Sequence, residues 1–125
     1  MIGILAVALG ASIGAPLRYL VDRSITARTA GPAGAAIFPW GLLTVNVVGS
    51  AIVGLVLALT DGNLRLFLMT GICGSLTTFS GFGWETNRLW SVHRVAFWSV
   101  LLVMPLACTA AFLVFYTLST VIHPT

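Results

Sequence analysis

Long apolar runs alternate with short polar segments along this chain. Residues 40–59 contain no charged side chain, and further apolar runs cover residues 1–21, 64–90 and 96–122. Each run is close to the ~20 residues that a helix needs to cross the hydrocarbon core of a bilayer. The pattern therefore predicts an all-α integral membrane protein with four transmembrane helices. Residues 1–125 are expected to form a single four-span domain.

The predicted connections are short, except for residues 22–39. That stretch is rich in Thr, Ala, Gly and Pro and is predicted to form a loop. No connection is long enough to hold a separate soluble domain. The chain does not begin with a positively charged stretch or a cleavage motif, so no signal peptide is expected.

Composition supports a membrane location. Hydrophobic residues make up 58% of the chain and charged residues 7%, against about 25% charged residues in a typical soluble domain. The net charge of +3 comes entirely from arginines scattered between the apolar runs. A nucleic-acid-binding surface would cluster them, so no nucleic-acid partner is expected. We expect a multi-pass protein of the cell inner (plasma) membrane, surrounded by lipid.

The arginines also carry information on orientation. The predicted connections after spans one and three carry four arginines and the connection after span two carries one (Arg23, Arg28, Arg88 and Arg94 against Arg65). An even number of spans places both termini on the same side. The positive-inside rule then favours external termini.

Cysteine and histidine do not indicate chemistry in this chain. Cys73 and Cys108 lie within apolar spans, without a CxxC motif or a histidine at ligand spacing. We interpret both as small apolar residues. His93 and His123 fall outside the spans and are interpreted as solvated or interfacial. The chain is therefore not expected to be an enzyme.

The third apolar run contains residues that interrupt a helix. Residues 71–85 read GICGSLTTFSGFGWE, and a break is predicted between Gly74 and Thr78. Irregular backbone at membrane depth is tolerated only where protein buries it or where it lines a polar cavity. A break frees carbonyl groups that can coordinate a small cation such as Na⁺. It also starts a second half-helix near Thr78, whose N-terminus favours an anion.

Two phenylalanines follow the predicted break. Phe79 and Phe82 are three residues apart, so they share one face of the second half-helix. The edge of an aromatic ring is positive, and ring edges can line a path for an anion without binding it tightly. The alternative is that both rings pack against lipid or against the core.

Other spans carry isolated polar side chains. Asn46 shares a face with small residues of the second span, where its amide either donates to a passing anion or hydrogen-bonds a neighbouring helix. Arg18 ends the first span and is either an interfacial anchor or the lining of a positive vestibule. Thr109 and Tyr116 share a face of the fourth span and could extend a polar track. Glu85 is expected to pair with an arginine such as Arg88, with proton coupling as the alternative.

Three motifs in this order resemble the Fluc (CrcB) family of small bacterial fluoride channels. They are GASIGAPLRY in the first span, PWGLLTVNVVGSAIVG in the second and GICGSLTTFSGFGWE in the third. The resemblance implies passive export of F⁻ through an antiparallel, dual-topology dimer with two pores. It also implies a structural, non-transported Na⁺ held by the backbone carbonyls of Gly74 and Thr77. The same resemblance implies, by position within the motifs, that the pore residues are Asn46, Phe79 and Phe82 and that Arg18 lies in the vestibule.

The chain departs from the family pattern at several positions. Leu42 stands where threonine is frequent, and Ser75 replaces the second glycine of a CGG motif. The fourth span matches least and contains Pro105, so Thr109 and Tyr116 stand in for its usual serine segment. Some family members pair two unlike subunits, and the arginine bias fits that arrangement. The dimer is therefore either an antiparallel homodimer or a heterodimer with an oppositely oriented homologue.

Two other functions remain open from the sequence. A small proton-coupled multidrug exporter also has four spans, but it needs a carboxylate within its first span. A non-transporting assembly subunit would explain the small-residue faces but not the broken helix.

Overall fold

The computed structural model describes residues 1–31 and 37–122, and every regular element in this part of the chain is helical. Four spans are long and apolar enough to cross a membrane, with mean hydropathies from 1.3 to 2.3. This confirms the predicted four-span, all-α membrane fold. The elements are α1 (Ile2–Thr29), α2 (Trp40–Leu59), α3 (Gly62–Arg65), a π-helical segment (Leu66–Cys73), α4 (Gly74–Leu76), α5 (Phe79–Val92) and α6 (Arg94–Ile122).

Helix α1 is longer than predicted. The loop expected from residue 22 onward is wrong as far as Thr29, where the helix ends. Ser24 and Thr29 donate their hydroxyl hydrogens to the carbonyls of Leu20 and Ile25, at 2.6 and 2.9 Å. These bonds satisfy the polar side chains within the helix, and the first glycine that can stop it is Gly31.

The four arginines expected in loops lie on helices. Arg23 and Arg28 belong to α1, Arg88 belongs to α5, and Arg94 is the first residue of α6. Their predicted loop placement is therefore wrong. The connectivity still gathers them at one end of the bundle, where α1 and α5 end and α2 and α6 begin.

The other end of the bundle contains Arg65. Its guanidinium donates to the carbonyls of Thr60 and Leu57 at the C-terminus of α2, the latter at 3.3 Å. Arginine here satisfies carbonyls that have no partner within the helix. Between the end of α2 and Arg65 the chain turns at Gly62, whose φ of +53° is a value that suits glycine.

The turn between α5 and α6 is the single residue His93. Its Nδ1 accepts from the Ala96 backbone N–H at 3.2 Å and caps the start of α6. His93 is exposed, as predicted. His123 lies outside the described residues.

The third span is assembled from four short elements, Gly62–Val92 in total. It changes from α- to π-helical geometry at Leu66, returns to α at Gly74 and is interrupted at Thr77 and Thr78. Both threonines have extended backbone angles, with ψ of 158° and 119°. The predicted break between Gly74 and Thr78 is confirmed.

Glycines bring α1 against the π-helical segment. A Cβ added at Gly10 would lie 2.8 Å from the Cα of Gly71 and 2.9 Å from the backbone N of Ile72. Small residues allow this approach, which is a common way to pack helices in membranes. A second packing centre joins α2, α5 and α6 through buried side chains (Leu42, Leu89, Ala96, Val100 and Met104).

Candidate functional site

A side chain from α2 holds the break in the third span. The amide oxygen of Asn46 accepts from the Thr78 backbone N–H at 2.8 Å, and its Nδ2 donates to the Thr78 carbonyl at 3.3 Å. These two bonds satisfy both backbone polar groups of Thr78. At membrane depth this matters, because water is not there to replace them.

The Thr78 side chain and Asn46 account for two of the carbonyls that the break frees. In a continuous α-helix, the Thr78 N–H would donate to the Gly74 carbonyl, but here it donates to Asn46. The Gly81 N–H would donate to the Thr77 carbonyl, but it donates to the Thr78 hydroxyl at 3.1 Å and so caps α5. The carbonyls that lose these two N–H donors are those of Gly74 and Thr77, the two that are expected to bind Na⁺.

Side chains around these carbonyls are tied to other groups. The Ser75 hydroxyl lies 2.7 Å from the Gly71 carbonyl and 3.0 Å from that of Ile72. The Thr77 hydroxyl donates to the Cys73 carbonyl at 3.0 Å, and its methyl group fills the space over Gly49. Oxygen ligands for a cation at the break would thus come from the backbone.

A mainly apolar groove of about 460 Å³ begins at the break and runs between α2, α5 and α6. It gathers three of the predicted pore residues, Asn46, Phe79 and Phe82. The two rings face each other with centroids 5.7 Å apart and planes tilted by 38°. Phe82 is partly buried and Phe79 is 85% exposed, so the groove opens toward the outside of the single chain.

The fourth span contributes part of the expected polar track. Thr109 lines the groove together with Pro105, Cys108 and Phe112. Tyr116 is not among the groove residues; it stacks on Phe112, with ring centroids 5.8 Å apart and planes 9° from parallel. The structure therefore brings Thr109, but not Tyr116, to the candidate site.

The structure adds one groove residue that the sequence analysis missed. Met104 is 2% exposed, and its Sδ accepts from Asn46 Nδ2 at 3.6 Å. The available signal was helical spacing, because Met104 lies next to Pro105 and one turn before Cys108, and both of these line the groove.

A second cavity, a polar cleft of about 630 Å³, lies on the other side of Thr78. Arg18 lines it, as does the pair Glu85–Arg88, whose ion pair at 2.7 Å confirms the predicted pairing. Asp22 of the extended α1 also lines the cleft. Thr78 lines both cavities, so the polar cleft and the apolar groove meet at the helix break.

A protein-family model matches most of the chain. The family model described as "CrcB-like protein, Camphor Resistance (CrcB)" matches residues 5–118. The chain belongs to the CrcB family. The match includes all the site residues above, from Arg18 to Tyr116.

Curated relatives in the CrcB family carry a common name. The chain is 52% identical over 89 residues to "Fluoride-specific ion channel FluC 1" of Nocardia farcinica, covering 70% of the chain and 59% of that relative. It is 45% identical over 95 residues to "Fluoride-specific ion channel FluC" of Agrobacterium fabrum, covering 71% and 72%. It is 34% identical over 116 residues to the protein of that name in Clostridium perfringens, covering 88% and 87%. The alignment to the Nocardia relative spans less than two thirds of that relative's length.

Proposed function

We propose that this protein is a fluoride channel that lets F⁻ leave the cell passively, down its gradient. The single observation that carries the proposal is the groove at the helix break, where Asn46, Phe79 and Phe82 converge. The names of the curated CrcB-family relatives agree with it. Fluoride that enters as HF dissociates in the cytoplasm, and a passive exit for F⁻ then reduces its toxicity.

One guanidinium of the polar cleft suits an anion. Arg18 and Arg88 line the cleft with Asp22 and Glu85, so its formal charges balance. Arg88 is paired with Glu85, and Arg18, outside that ion pair, is the cation that can attract an anion. The N-terminus of α5 faces the junction between the cavities and carries about half a positive charge. The edges of Phe79 and Phe82 then provide weak successive sites, so that the ion can leave again.

The break also suits a structural Na⁺ that is not transported. The carbonyls of Gly74 and Thr77 have lost their usual helical donors to Asn46 and to the Thr78 hydroxyl. Unwound backbone carbonyls of this kind coordinate Na⁺ in broken membrane helices. The bound ion supplies positive charge that fixes the break.

A second subunit completes the site. Two carbonyls are a small ligand set for a hard cation, and a two-fold related copy doubles it. The groove is open and Phe79 is 85% exposed on the single chain, so a partner is needed to enclose it. The dimer is antiparallel. Its partner is an identical chain or a homologue of opposite orientation, and the one-sided arginines favour the homologue.

The alternatives receive less support. A proton-coupled multidrug exporter needs a carboxylate deep in the first span. The carboxylate of α1 is Asp22, which lies in the final third of that helix and accepts from Thr26 at 3.4 Å. A non-transporting assembly subunit does not account for the freed carbonyls or for the groove.

Fluoride release from proteoliposomes tests the proposal. Vesicles loaded with KF and containing Na⁺ are diluted into fluoride-free buffer, and a fluoride electrode follows release when valinomycin is added. Matched vesicles loaded with KCl are the control. One arm contains the purified chain alone, and the other contains the chain with a CrcB-family homologue of opposite arginine bias.

The two arms separate the outcomes. Fluoride release without chloride release by the chain alone establishes a homodimeric channel. Release in the second arm, where neither the chain alone nor the homologue alone releases fluoride, establishes a heterodimer. If neither arm releases fluoride, the channel proposal is wrong.

A further inference from the structure

Every hydrogen-bonding group of the Asn46 side chain is already engaged. Its oxygen accepts from the Thr78 N–H, and its Nδ2 donates to the Thr78 carbonyl at 3.3 Å and to Met104 Sδ at 3.6 Å. A carboxamide has two N–H donors. Fluoride can therefore take an N–H from Asn46 only by displacing one of these two acceptors.

The two acceptors are unequal. The Thr78 carbonyl is a strong backbone acceptor, fixed at the N-cap of α5, where it also accepts the first bond of that helix. The Met104 thioether is a weak acceptor, and 3.6 Å is a long contact. Met104 is therefore the partner that an anion displaces at the lower cost.

Met104 also has the means to move. Its side chain is unbranched and has three rotatable bonds. It precedes Pro105, which cannot donate to the Leu101 carbonyl and so removes one bond of α6 beside it. The neighbouring groove of about 460 Å³ offers space for the displaced thioether.

We propose that Met104 is a positioning residue that sets the fluoride affinity of Asn46. Its thioether holds the second N–H of Asn46 while no anion is bound and releases it to fluoride. Fluoride is a strong acceptor and gains by replacing sulfur, whereas chloride, a weaker acceptor, gains much less. The inference rests on the proposed channel function and adds a residue that competes with the anion for Asn46.

The first test observes Met104 directly. The chain, with its partner subunit if it needs one, is labelled with ¹³C-methyl methionine in lipid nanodiscs at constant Na⁺ concentration. It has three methionines, and Met69→Leu together with the fully exposed Met1 identifies the signals. Titration with NaF is expected to shift the Met104 methyl signal and leave that of Met69 in place. Titration with NaCl is expected to move neither.

The second test removes the sulfur while conserving volume. In Met104→Leu, the competing acceptor is gone, so the fluoride concentration that half-saturates the Asn46 side-chain amide signal should fall roughly two- to fivefold, the effect of one weak hydrogen bond. Met69→Leu, in the π-helical segment, is the matched control and should leave that concentration unchanged.

The outcomes distinguish the inference from the proposed function. An unmoved Met104 methyl signal in a preparation that releases fluoride overturns the inference and leaves the channel intact. An unchanged half-saturating fluoride concentration in a folded Met104→Leu chain overturns it too. If the unmodified protein releases no fluoride, the proposed function fails and the inference fails with it. The methyl titration needs no substitution at Met104, so it decides even where that variant does not fold.

Discussion

Asn46 in α2 replaces the Gly74 carbonyl as hydrogen-bonding partner of the Thr78 N–H, 32 residues away in the chain. The same carboxamide donates to the Thr78 carbonyl, at the N-cap of α5. This pairing lets the chain interrupt a membrane helix without leaving the Thr78 N–H unsatisfied at membrane depth. It also makes the freed carbonyl of Gly74 a consequence of a side chain in another helix, whereas that of Thr77 is freed by the Thr78 hydroxyl.

Asn46→Asp is expected to impair both the break and conduction. A carboxylate still accepts from the Thr78 N–H, but it cannot donate to the Thr78 carbonyl, and the loss of that hydrogen bond costs about 0.5–1.5 kcal/mol. Its negative charge in the groove also repels F⁻, and we expect fluoride release to fall by at least about tenfold, which corresponds to 1.4 kcal/mol. Thermal unfolding in detergent and release from vesicles measure the two effects.

Asn87→Asp is the matched control for that substitution. Asn87 is exposed on α5, so the variant adds the same charge away from the break. Release and unfolding temperature are expected to stay near those of the unmodified protein. If Asn46→Asp conducts as well as Asn87→Asp does, Asn46 has no role in the pathway.

Phe82→Ile and Phe79→Ile are expected to lower fluoride release sharply. Isoleucine keeps the groove apolar but has no positive ring edge to offer an anion. Phe82 also packs against the buried cluster of α2, α5 and α6, so its loss affects stability as well. Phe79 is 85% exposed on the single chain, so its variant separates the effect on the anion from the effect on packing within the chain.

The aromatic control is Phe115→Ile. Phe115 lies on α6, outside the groove, and is 37% exposed. Initial rates of fluoride release should follow the order unmodified protein, Phe115→Ile, then the two groove variants. If Phe79→Ile and Phe82→Ile each release fluoride at the normal rate, neither ring contributes to the anion pathway.

The sequence located the break but not what holds it. Helix-breaking residues are local signals, and those between Gly74 and Thr78 marked the interruption directly. The partner of Thr78 depends on how α2 is rotated against the third span, and that rotation results from packing between distant residues. For the same reason Asn46 could be interpreted only as a donor or as a contact between helices, and Met104 gave no polar signal.

Local sequence patterns also failed to predict the full length of α1 and the π-helical segment of the third span. Residues 22–29 are polar and resembled a loop, but their hydroxyls bond carbonyls of their own helix. The π-helical segment Leu66–Cys73 has the composition of an ordinary membrane helix. Its altered geometry accompanies the close approach of Gly71 to Gly10, a contact that no single stretch of sequence contains.

Gly10→Ala is expected to destabilise the fold. The added Cβ would meet the backbone of Gly71 and Ile72 at 2.8 and 2.9 Å. Backbone cannot rotate away as a side chain can, so the helices must separate, at a cost of about 1–3 kcal/mol. The unfolding temperature in detergent, followed by circular dichroism, measures the loss.

Gly83→Ala provides the comparison for that variant. A Cβ at Gly83, on α5, would meet no atom of the described residues within 4 Å beyond its own helical turn. Alanine is the better helix former by roughly 1 kcal/mol, so this variant should unfold at the same temperature or higher. Equal destabilisation by both substitutions would show that the contact between α1 and the π-helical segment does not hold the fold.

Removal of Na⁺ is expected to destabilise the protein and stop conduction. An ion that binds only the folded state contributes about 2.7 kcal/mol at a hundred times its dissociation constant. Replacing Na⁺ with N-methylglucamine at constant ionic strength should therefore lower the unfolding temperature and abolish fluoride release. Titrating Na⁺ back should restore both over the same concentration range.

Ser75→Gly identifies the ligands of that ion. The Ser75 hydroxyl is held by the Gly71 and Ile72 carbonyls, and the carbonyls of Gly74 and Thr77 belong to the backbone. If these carbonyls bind Na⁺, the variant keeps the full Na⁺-dependent rise in unfolding temperature, even where its overall stability differs. Loss of that rise would show instead that the Ser75 hydroxyl is a ligand of Na⁺. If the unfolding temperature of the unmodified dimer does not depend on Na⁺ concentration, the proposal of a structural ion at the break is wrong.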